Sequence, residues 1–120
     1  MKKILIADDH PEIRLLLSIT LGRTYEVIQA SDGTSALEAI RRERPDAVML
    51  DIMMPGAMNG LQVLDAIKFD PLLKHTPVAL VTARGQAVDY RAGLDHGADA
   101  YFIKPFSPLL VANWLRAKLE

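Results

Sequence analysis

The stretch AVMLDIMMPG, residues 47–56, is an apolar run that stops at a single carboxylate, Asp51. A short loop sequence with two methionines, a proline and a glycine follows it. Pro45 precedes the run and Pro55 closes it, so its length suits a strand that is buried on both faces. A charge at the end of a buried strand is costly unless the strand ends at a functional edge of the protein.

Further apolar runs alternate with segments of helical periodicity. Predicted strands cover residues 3–7, 25–30, 46–51, 77–82 and 99–104. Each strand is followed by apolar residues at helical spacing, and the weakest of these predicted helices covers about residues 86–95. Pro11 and Pro108 suit the first positions of the first and last helices. Strict alternation predicts an α/β protein, with a parallel sheet and helices on both of its faces.

Composition limits the classes of protein to which the chain can belong. Its 120 residues fit one domain, half of them are hydrophobic, and the formal net charge is -1 with a pI of about 6.3. This balance lacks the basic surface expected of a nucleic-acid-binding domain. The chain has no cysteine and no apolar run long enough to span a bilayer. We therefore expect a cytoplasmic protein that binds neither nucleic acid nor membranes directly.

Polar side chains stand where four of the five predicted strands end. Asp8 and Asp9 follow the first strand, Asp51 ends the third, Thr82 the fourth and Lys104 the fifth. The carboxyl ends of parallel strands meet at one edge of the sheet, which is where such folds bind ligands. Three carboxylates at one edge repel each other unless a proton or a cation neutralises them. Oxygen ligands without cysteine favour Mg²⁺ or Ca²⁺ over zinc.

The residue types at this edge suit phosphoryl transfer. A divalent cation, an ammonium group and a hydroxyl group can position and neutralise a phosphoryl group, which is most of what its transfer requires. Asp51 stands alone at the end of its strand and is the natural nucleophile, which would form an aspartyl-phosphate.

Several motifs resemble one known family. The segments IADDH, VMLDIMMPG, ALVTA and YFIKPF occur in that order, and GLDHGADAYFIKPF leads into the last helix. Together they resemble the receiver domain of bacterial two-component response regulators. The resemblance covers essentially the whole chain. It implies a flavodoxin-like, doubly wound, five-stranded parallel sheet of order 2-1-3-4-5 with five flanking helices. It also implies a single receiver domain over residues 1–120, with no output domain.

The resemblance assigns roles at the acidic edge. Asp51 would accept a phosphoryl group from the phosphohistidine of a sensor histidine kinase or a phosphotransfer protein. Asp9 would bind Mg²⁺ (or Mn²⁺) directly, Asp8 would assist, and Asp51 and the backbone carbonyl of Met53 would complete the metal site. Such a domain catalyses only its own phosphoryl transfer and autodephosphorylation, so it is not classed as an enzyme.

The resemblance also implies a switch. Lys104 would pair with the phosphoryl group, Thr82 would hydrogen-bond to it, and the peptide bond between Lys104 and Pro105 would be cis. Tyr101 would turn inward after Thr82 moves. The face formed by the fourth helix, the fifth strand and the fifth helix would then bind a downstream effector or a second copy of the chain.

One segment departs from the family pattern. Residues 55–60 read PGAMNG, which is one residue longer than the usual P-G-M-D-G. The extra residue follows the Met53 carbonyl, so the path of the loop does not follow from the resemblance.

Simpler interpretations exist for single residues. Asp8 and Asp9 are also suitable as caps of the first helix, with Asp9 able to do both jobs. Thr82 suits any strand end, and Tyr101 is equally typical of a core aromatic. Three histidines lack metal-ligand spacing, so we interpret them as surface or locally hydrogen-bonded residues: His10, His75 and His96.

Three other functions compete with the phosphorylated receiver. A small Mg²⁺-dependent phosphatase with an aspartate nucleophile would place Asp-x-Asp after the first strand, whereas this chain has adjacent aspartates. A flavodoxin-like nucleotide binder would need a Ser/Thr/Gly-rich phosphate loop there, and Asp8 and Asp9 would repel a phosphate. A receiver that signals without phosphorylation would not need the complete site.

Overall fold

A five-stranded parallel sheet forms the centre of the computed structural model, which describes residues 1–83 and 95–120. Its strands, in the order β2-β1-β3-β4-β5, are β1 (Lys3–Ala7), β2 (Glu26–Ala30), β3 (Ala47–Asp51), β4 (Val78–Ala83) and β5 (Ala100–Lys104). The described helices are α1 (Pro11–Leu21), α2 (Gly33–Glu43), α3 (Gly60–Phe69) and α4 (Pro108–Leu119), the last being the fifth helix of the sequence-based prediction. The fold class and strand order are therefore confirmed.

The helix predicted over about residues 86–95 lies outside the described residues, apart from its last position. Gly97, expected to follow its end, has a φ of +92°. No helix within residues 1–83 or 95–120 combines the length and the apolar character needed to cross a membrane.

The unbroken apolar run of β3 reflects burial on both faces of the sheet. Val48 and Leu50 belong to a core cluster that includes α2 and α3 residues, whereas Ala47 and Met49 face a second cluster with α1 and α4 residues. Successive side chains of a strand point to opposite faces, so a central strand with two covered faces needs apolar residues throughout. Asp51, the last residue of β3, is the first residue of the strand that is not apolar.

The start of α1 differs from the capping expected there. Pro11 occupies the first helical turn as predicted, but the N-cap residue is His10, and its side chain makes no capping hydrogen bond. The alternative interpretation, in which Asp8 or Asp9 caps this helix, is wrong. The Asp8 carboxylate instead accepts the backbone N–H of His10, at 2.8 Å, in the turn before the helix. Neither aspartate side chain caps α1, so both carboxylates remain at the edge of the sheet.

The loop with the extra residue ends in a reciprocal cap. The Asn59 side chain accepts the backbone N–H of Gln62 at 3.0 Å, and the Gln62 side chain accepts the N–H of Asn59 at 2.8 Å. This capping box satisfies two amide groups that the first turn of α3 would otherwise leave unpaired. Gly60 then donates its N–H to the Ile52 carbonyl at 2.9 Å, which returns the chain to the end of β3.

Gly60 packs directly against the strand that carries Asp51. A Cβ atom at this position would lie 2.3 Å from the Asp51 carbonyl oxygen and 2.8 Å from the Ile52 Cα atom. Both neighbours are backbone atoms of β3 and the residue after it, so neither can rotate away. The absence of a side chain at Gly60 is what lets α3 start immediately beneath the site.

We predict that Gly60→Ala lowers the free energy of unfolding by about 2 kcal/mol, the usual cost of overpacking against a fixed backbone. Urea unfolding followed by circular dichroism measures this change. Ala57→Ser, in the exposed part of the same loop, is the matched control and should change stability by less than about 0.5 kcal/mol. Equal stabilities of the two variants would contradict the close packing described for Gly60.

Candidate functional site

The predicted acidic edge is present as a contact cluster. The Lys104 ammonium group lies 2.9 Å from Asp51 Oδ2 and 3.0 Å from Asp8 Oδ2. Asp51 ends β3 and Asp8 directly follows the neighbouring strand β1, whereas Lys104 ends β5, two positions beyond β3 in the sheet. The long lysine side chain therefore spans the end of β4 to reach them. All three side chains are largely buried, with 4 % of each aspartate and 16 % of the lysine exposed.

Asp51 is held by donors on both of its oxygens. Oδ1 accepts the backbone N–H of Met53 at 3.1 Å, and Oδ2 accepts the Lys104 ammonium. Burial raises the pKa of Asp51 above its usual value, and the nearby Asp8 charge adds to the increase, although Lys104 and the Met53 amide act in the opposite direction. A poorly solvated carboxylate of this kind is more basic, and so more nucleophilic, than one on the surface.

Lys104 is charged in spite of its partial burial. Burial on its own would lower the pKa of Lys104, but its hydrogen bonds to Asp51 and Asp8 outweigh that effect and raise the pKa. An ammonium between two buried carboxylates replaces part of the solvation that each has lost. One positive charge nevertheless faces three carboxylates, because Asp9 lies in the same cluster.

The β1–α1 turn contains two functional candidates that the sequence interpretation did not identify. Arg14 donates from Nη1 to the Asp8 backbone carbonyl at 2.6 Å and so ties α1 to the site. His10 places Nδ1 3.1 Å from Asp8 Oδ1 and 3.2 Å from Asp9 Oδ1. His10 was expected to form local hydrogen bonds, which it does, but no sequence spacing marked it as part of the acidic cluster.

The residues present fit a divalent cation. Carboxylate oxygens of Asp8, Asp9 and Asp51 and a ring nitrogen of His10 all lie within 4.8 Å of one another. Asp9 Oδ1 is buried and, apart from its 3.2 Å contact with His10 Nδ1, which does not meet the criteria of a hydrogen bond, it has no polar partner among the described residues. A buried carboxylate oxygen without a donor is costly, and a cation in the cluster would satisfy it.

The other predicted site residues differ in their burial and in their position relative to this cluster. Thr82 is buried near the end of β4, one residue beyond Val81, which pairs with Asp51. Tyr101 is half-buried in β5 and packs against the core cluster that contains α2 and α3 residues. The Met53 side chain is exposed, and its backbone N–H donates to Asp51. The peptide bond between Lys104 and Pro105 is cis.

Comparisons with known proteins agree with the fold described above. Residues 4–115 match the model of the response regulator receiver domain family. The chain is 40 % identical over 120 residues to the DNA-binding response regulator MtrA of Mycolicibacterium smegmatis, which covers 99 % of this chain and 51 % of that protein. It is 42 % identical, over 99 % of its length, to the alkaline phosphatase synthesis transcriptional regulatory protein PhoP of Bacillus subtilis, of which it covers 49 %.

A solved structure agrees with these sequence comparisons. The chemotaxis protein CheY4 of Vibrio cholerae superposes with a TM-score of 0.89 at 32 % identity, and the match covers 99 % of both chains. The chain belongs to the response regulator receiver domain family, whose members are signalling modules of two-component systems. It spans about half the length of the curated relatives that it matches.

We predict opposite stability effects for two substitutions in metal-free buffer. Lys104→Met should cost about 3 kcal/mol, because it leaves two buried carboxylates without their counter-charge. Asp51→Asn should raise the Tm by a few degrees at neutral pH, because it removes a charge that burial disfavours. Thermal unfolding in the presence of EDTA measures both, and Lys118→Met, an exposed lysine of α4, is the matched control.

The gain from Asp51→Asn should depend on pH. Because burial raises the pKa of Asp51 in the folded state, the folded state binds this proton more tightly than the unfolded state does. Protonation of Asp51 therefore stabilises the folded state at acid pH, and this stabilisation is lost as the pH rises through the raised pKa. The difference in Tm between variant and wild type should shrink as the pH falls toward about 4. A constant difference from acid to neutral pH would show that ionisation of Asp51 does not cause it.

Proposed function

We propose that residues 1–120 act as one receiver domain that takes a phosphoryl group onto Asp51 and, in response, alters a surface bound by a partner. The observation that carries this proposal is the buried Asp51 carboxylate paired at 2.9 Å with the Lys104 ammonium, within a cluster of two more carboxylates. Such an arrangement places a nucleophile, a counter-charge and a set of cation ligands at one point.

Asp51 acts as the nucleophile in this proposal. One of its oxygens attacks the phosphorus atom of a phosphohistidine on a sensor kinase or phosphotransfer protein. The bond between phosphorus and the donor imidazole breaks, and the electron pair returns to that ring. The Met53 amide holds the Asp51 carboxylate in place through its 3.1 Å hydrogen bond, so little reorganisation is needed before attack.

A divalent cation, Mg²⁺ or Mn²⁺, is the cofactor of the proposed reaction. Asp8, Asp9 and Asp51 would hold it, together with the backbone carbonyl of Met53. When bound, the cation neutralises charge on the phosphoryl oxygens. The buried Asp9 oxygen without a hydrogen bond and the excess of negative charge at the edge support this assignment.

Lys104 and Thr82 are proposed to bind the phosphoryl group after transfer. Lys104 already sits beside Asp51, and it can exchange its contact with Asp51 for one with a phosphoryl oxygen. The buried Thr82 hydroxyl lies near the end of the neighbouring strand and would donate a hydrogen bond to the same group. Movement of Thr82 would then draw in Tyr101, which lies on the same pair of strands.

The proposed kinase contact lies on α1 and the loop after β5. Ile13 and Leu16 of α1 line an apolar cleft of about 320 Å³ together with Pro105 and Phe106, and Lys104 stands at the same cleft. A protein that delivers a phosphoryl group to Asp51 must approach beside Lys104. This exposed apolar surface would bury well against a helix of the donor.

The proposed output surface includes β5 and α4. β5 is an edge strand of the sheet, and its Ile103 is exposed, as are Leu109 and Leu110 at the start of α4. Exposed apolar residues at a sheet edge favour protein partners. A downstream effector or a second copy of the chain would bind here once Tyr101 and Thr82 have moved. The names of MtrA and PhoP refer to DNA binding and transcription, so control of a transcriptional output is consistent with this role.

We predict that acetyl phosphate with Mg²⁺ adds one phosphoryl group to the purified chain and that Asp51→Asn abolishes the addition. Asparagine keeps the shape of the side chain but cannot form the acyl phosphate. Intact-protein mass spectrometry measures the product. Asp70→Asn, which alters a partly exposed aspartate at the end of α3, is the matched control and should be labelled like the wild type.

Two results would contradict the proposal. Unchanged labelling of Asp51→Asn would exclude Asp51 as the acceptor. Hydrolysis of a small phosphomonoester far beyond the amount of protein present would instead favour the Asp-nucleophile phosphatase.

We predict a further effect on the output surface. Beryllofluoride with Mg²⁺ mimics the phosphoryl group and should shift backbone amide signals of β5 and α4 in heteronuclear NMR spectra. Thr82→Ala should still bind the mimic but should show markedly smaller shifts at Tyr101 and in α4, because the hydroxyl that transmits binding is missing. Thr76→Ala, two residues before β4 begins, is the control. Identical shifts in the wild type and Thr82→Ala would remove Thr82 from the switch.

A further inference from the structure

The imidazole of His10 lies within the cluster of potential cation ligands formed with Asp8, Asp9 and Asp51. Its Nδ1 atom lies 3.1 Å from Asp8 Oδ1 and 3.2 Å from Asp9 Oδ1. We propose that His10 Nδ1 is a direct ligand of the divalent cation, so that this site prefers a first-row transition-metal ion to Mg²⁺. The inference rests on the proposed function, because it concerns the same cation site.

The two distances from His10 Nδ1 match two adjacent edges of an octahedral coordination shell. Two neighbouring ligands that are each about 2.1 Å from a cation lie about 3.0 Å apart. The separations of 3.1 and 3.2 Å between His10 Nδ1 and the two aspartate oxygens are close to that value. All four ligand-type atoms also lie within 4.8 Å of one another, so a single ion can serve them with small adjustments of the side chains.

The backbone holds the imidazole in this place. His10 is the N-cap residue of α1, and Pro11 fixes the first helical turn after it. The His10 N–H donates to Asp8 Oδ1 at 2.8 Å, which closes the turn between the aspartates and the helix. Half of the His10 side chain is exposed, with 51 % accessible to solvent. An ion can therefore reach it without opening the core.

The chemistry of the nitrogen ligand determines the preference. Mg²⁺ binds oxygen ligands and keeps several waters, and it gains little from an imidazole. Ions such as Mn²⁺, Co²⁺ and Ni²⁺ bind imidazole nitrogen well, with affinity that rises along that series. An acidic cluster with one imidazole is thus a better site for these ions than a cluster of carboxylates alone.

Lys104 competes for the same lone pair. Its ammonium lies 3.2 Å from His10 Nδ1, in addition to its contacts with Asp8 and Asp51. An imidazole nitrogen has a single lone pair, so Nδ1 cannot bind the ammonium and an ion together. Arrival of the ion would therefore release one contact of Lys104 and leave the ammonium freer to meet a phosphoryl group.

Calorimetric titration of the tag-free chain with Co²⁺ and with Mg²⁺ tests the proposal. We expect the wild type to bind Co²⁺ more tightly, and His10→Phe to lose about tenfold or more in Co²⁺ affinity with a much smaller change for Mg²⁺. His10→Asn, which offers an oxygen instead of the ring nitrogen, should lose part of the Co²⁺ preference as well. His75→Phe, before the opposite end of β4, is the matched control and should keep it.

A spectroscopic measurement identifies the ligand atom directly. Pulsed electron paramagnetic resonance of the Mn²⁺ complex, with histidine labelled by ¹⁵N, should show a directly bound nitrogen in the wild type and in His75→Phe but not in His10→Phe. Circular dichroism of each variant confirms that the comparison is made between folded proteins.

Two outcomes would overturn the inference. Equal losses of Co²⁺ and Mg²⁺ affinity in His10→Phe would show that His10 acts only through Lys104. A nitrogen signal that persists in His10→Phe would assign the ligand to another residue. Neither result depends on labelling of Asp51, so failure of the cation preference and failure of the proposed phosphoryl transfer are distinguishable.

Discussion

The contact of the Lys104 ammonium with Asp8 and Asp51 is the interaction on which the rest of the site depends. The sheet forces both aspartates to the same edge, because β1 and β3 are adjacent, parallel and buried on both faces. Two carboxylates brought together with so little solvent would repel each other strongly. Lys104 offsets this repulsion from β5, across the end of β4. The two aspartates can lie side by side at this edge because the lysine is present.

Much of this arrangement was predictable from the chain alone. Strands with two covered faces read as unbroken apolar runs, and the polar residues that terminate them fall at one edge in any parallel sheet. That reasoning puts Asp51 and Lys104 at the same edge, where their side chains are in contact at 2.9 Å. The motifs around them then identified the family, which the comparisons confirm.

Features that depend on local geometry could not be predicted from the sequence in the same way. Nothing in the spacing of Arg14 shows that its guanidinium reaches the Asp8 carbonyl, since this depends on how α1 leaves the β1 turn. The place of His10 beside the aspartates depends on the same turn. The longer PGAMNG loop was equally uncertain from sequence, and the structure resolves it through the Asn59 cap and the close contact of Gly60 with Asp51. Tertiary contacts, rather than propensities, determine all of these positions.

Charge balance gives a physical reason why the proposed phosphorylation would act as a switch. Three carboxylates and one ammonium leave two negative charges in excess, which a divalent cation would neutralise. Phosphorylation of Asp51 replaces one of those charges with a group that carries nearly two. The loaded site then has about one uncompensated negative charge in a poorly solvated place. Hydrogen-bond donors must move toward it, and the buried Thr82 hydroxyl on the adjacent strand is well placed to do so. A change of one charge at Asp51 would thus become a movement of β4 and β5 side chains.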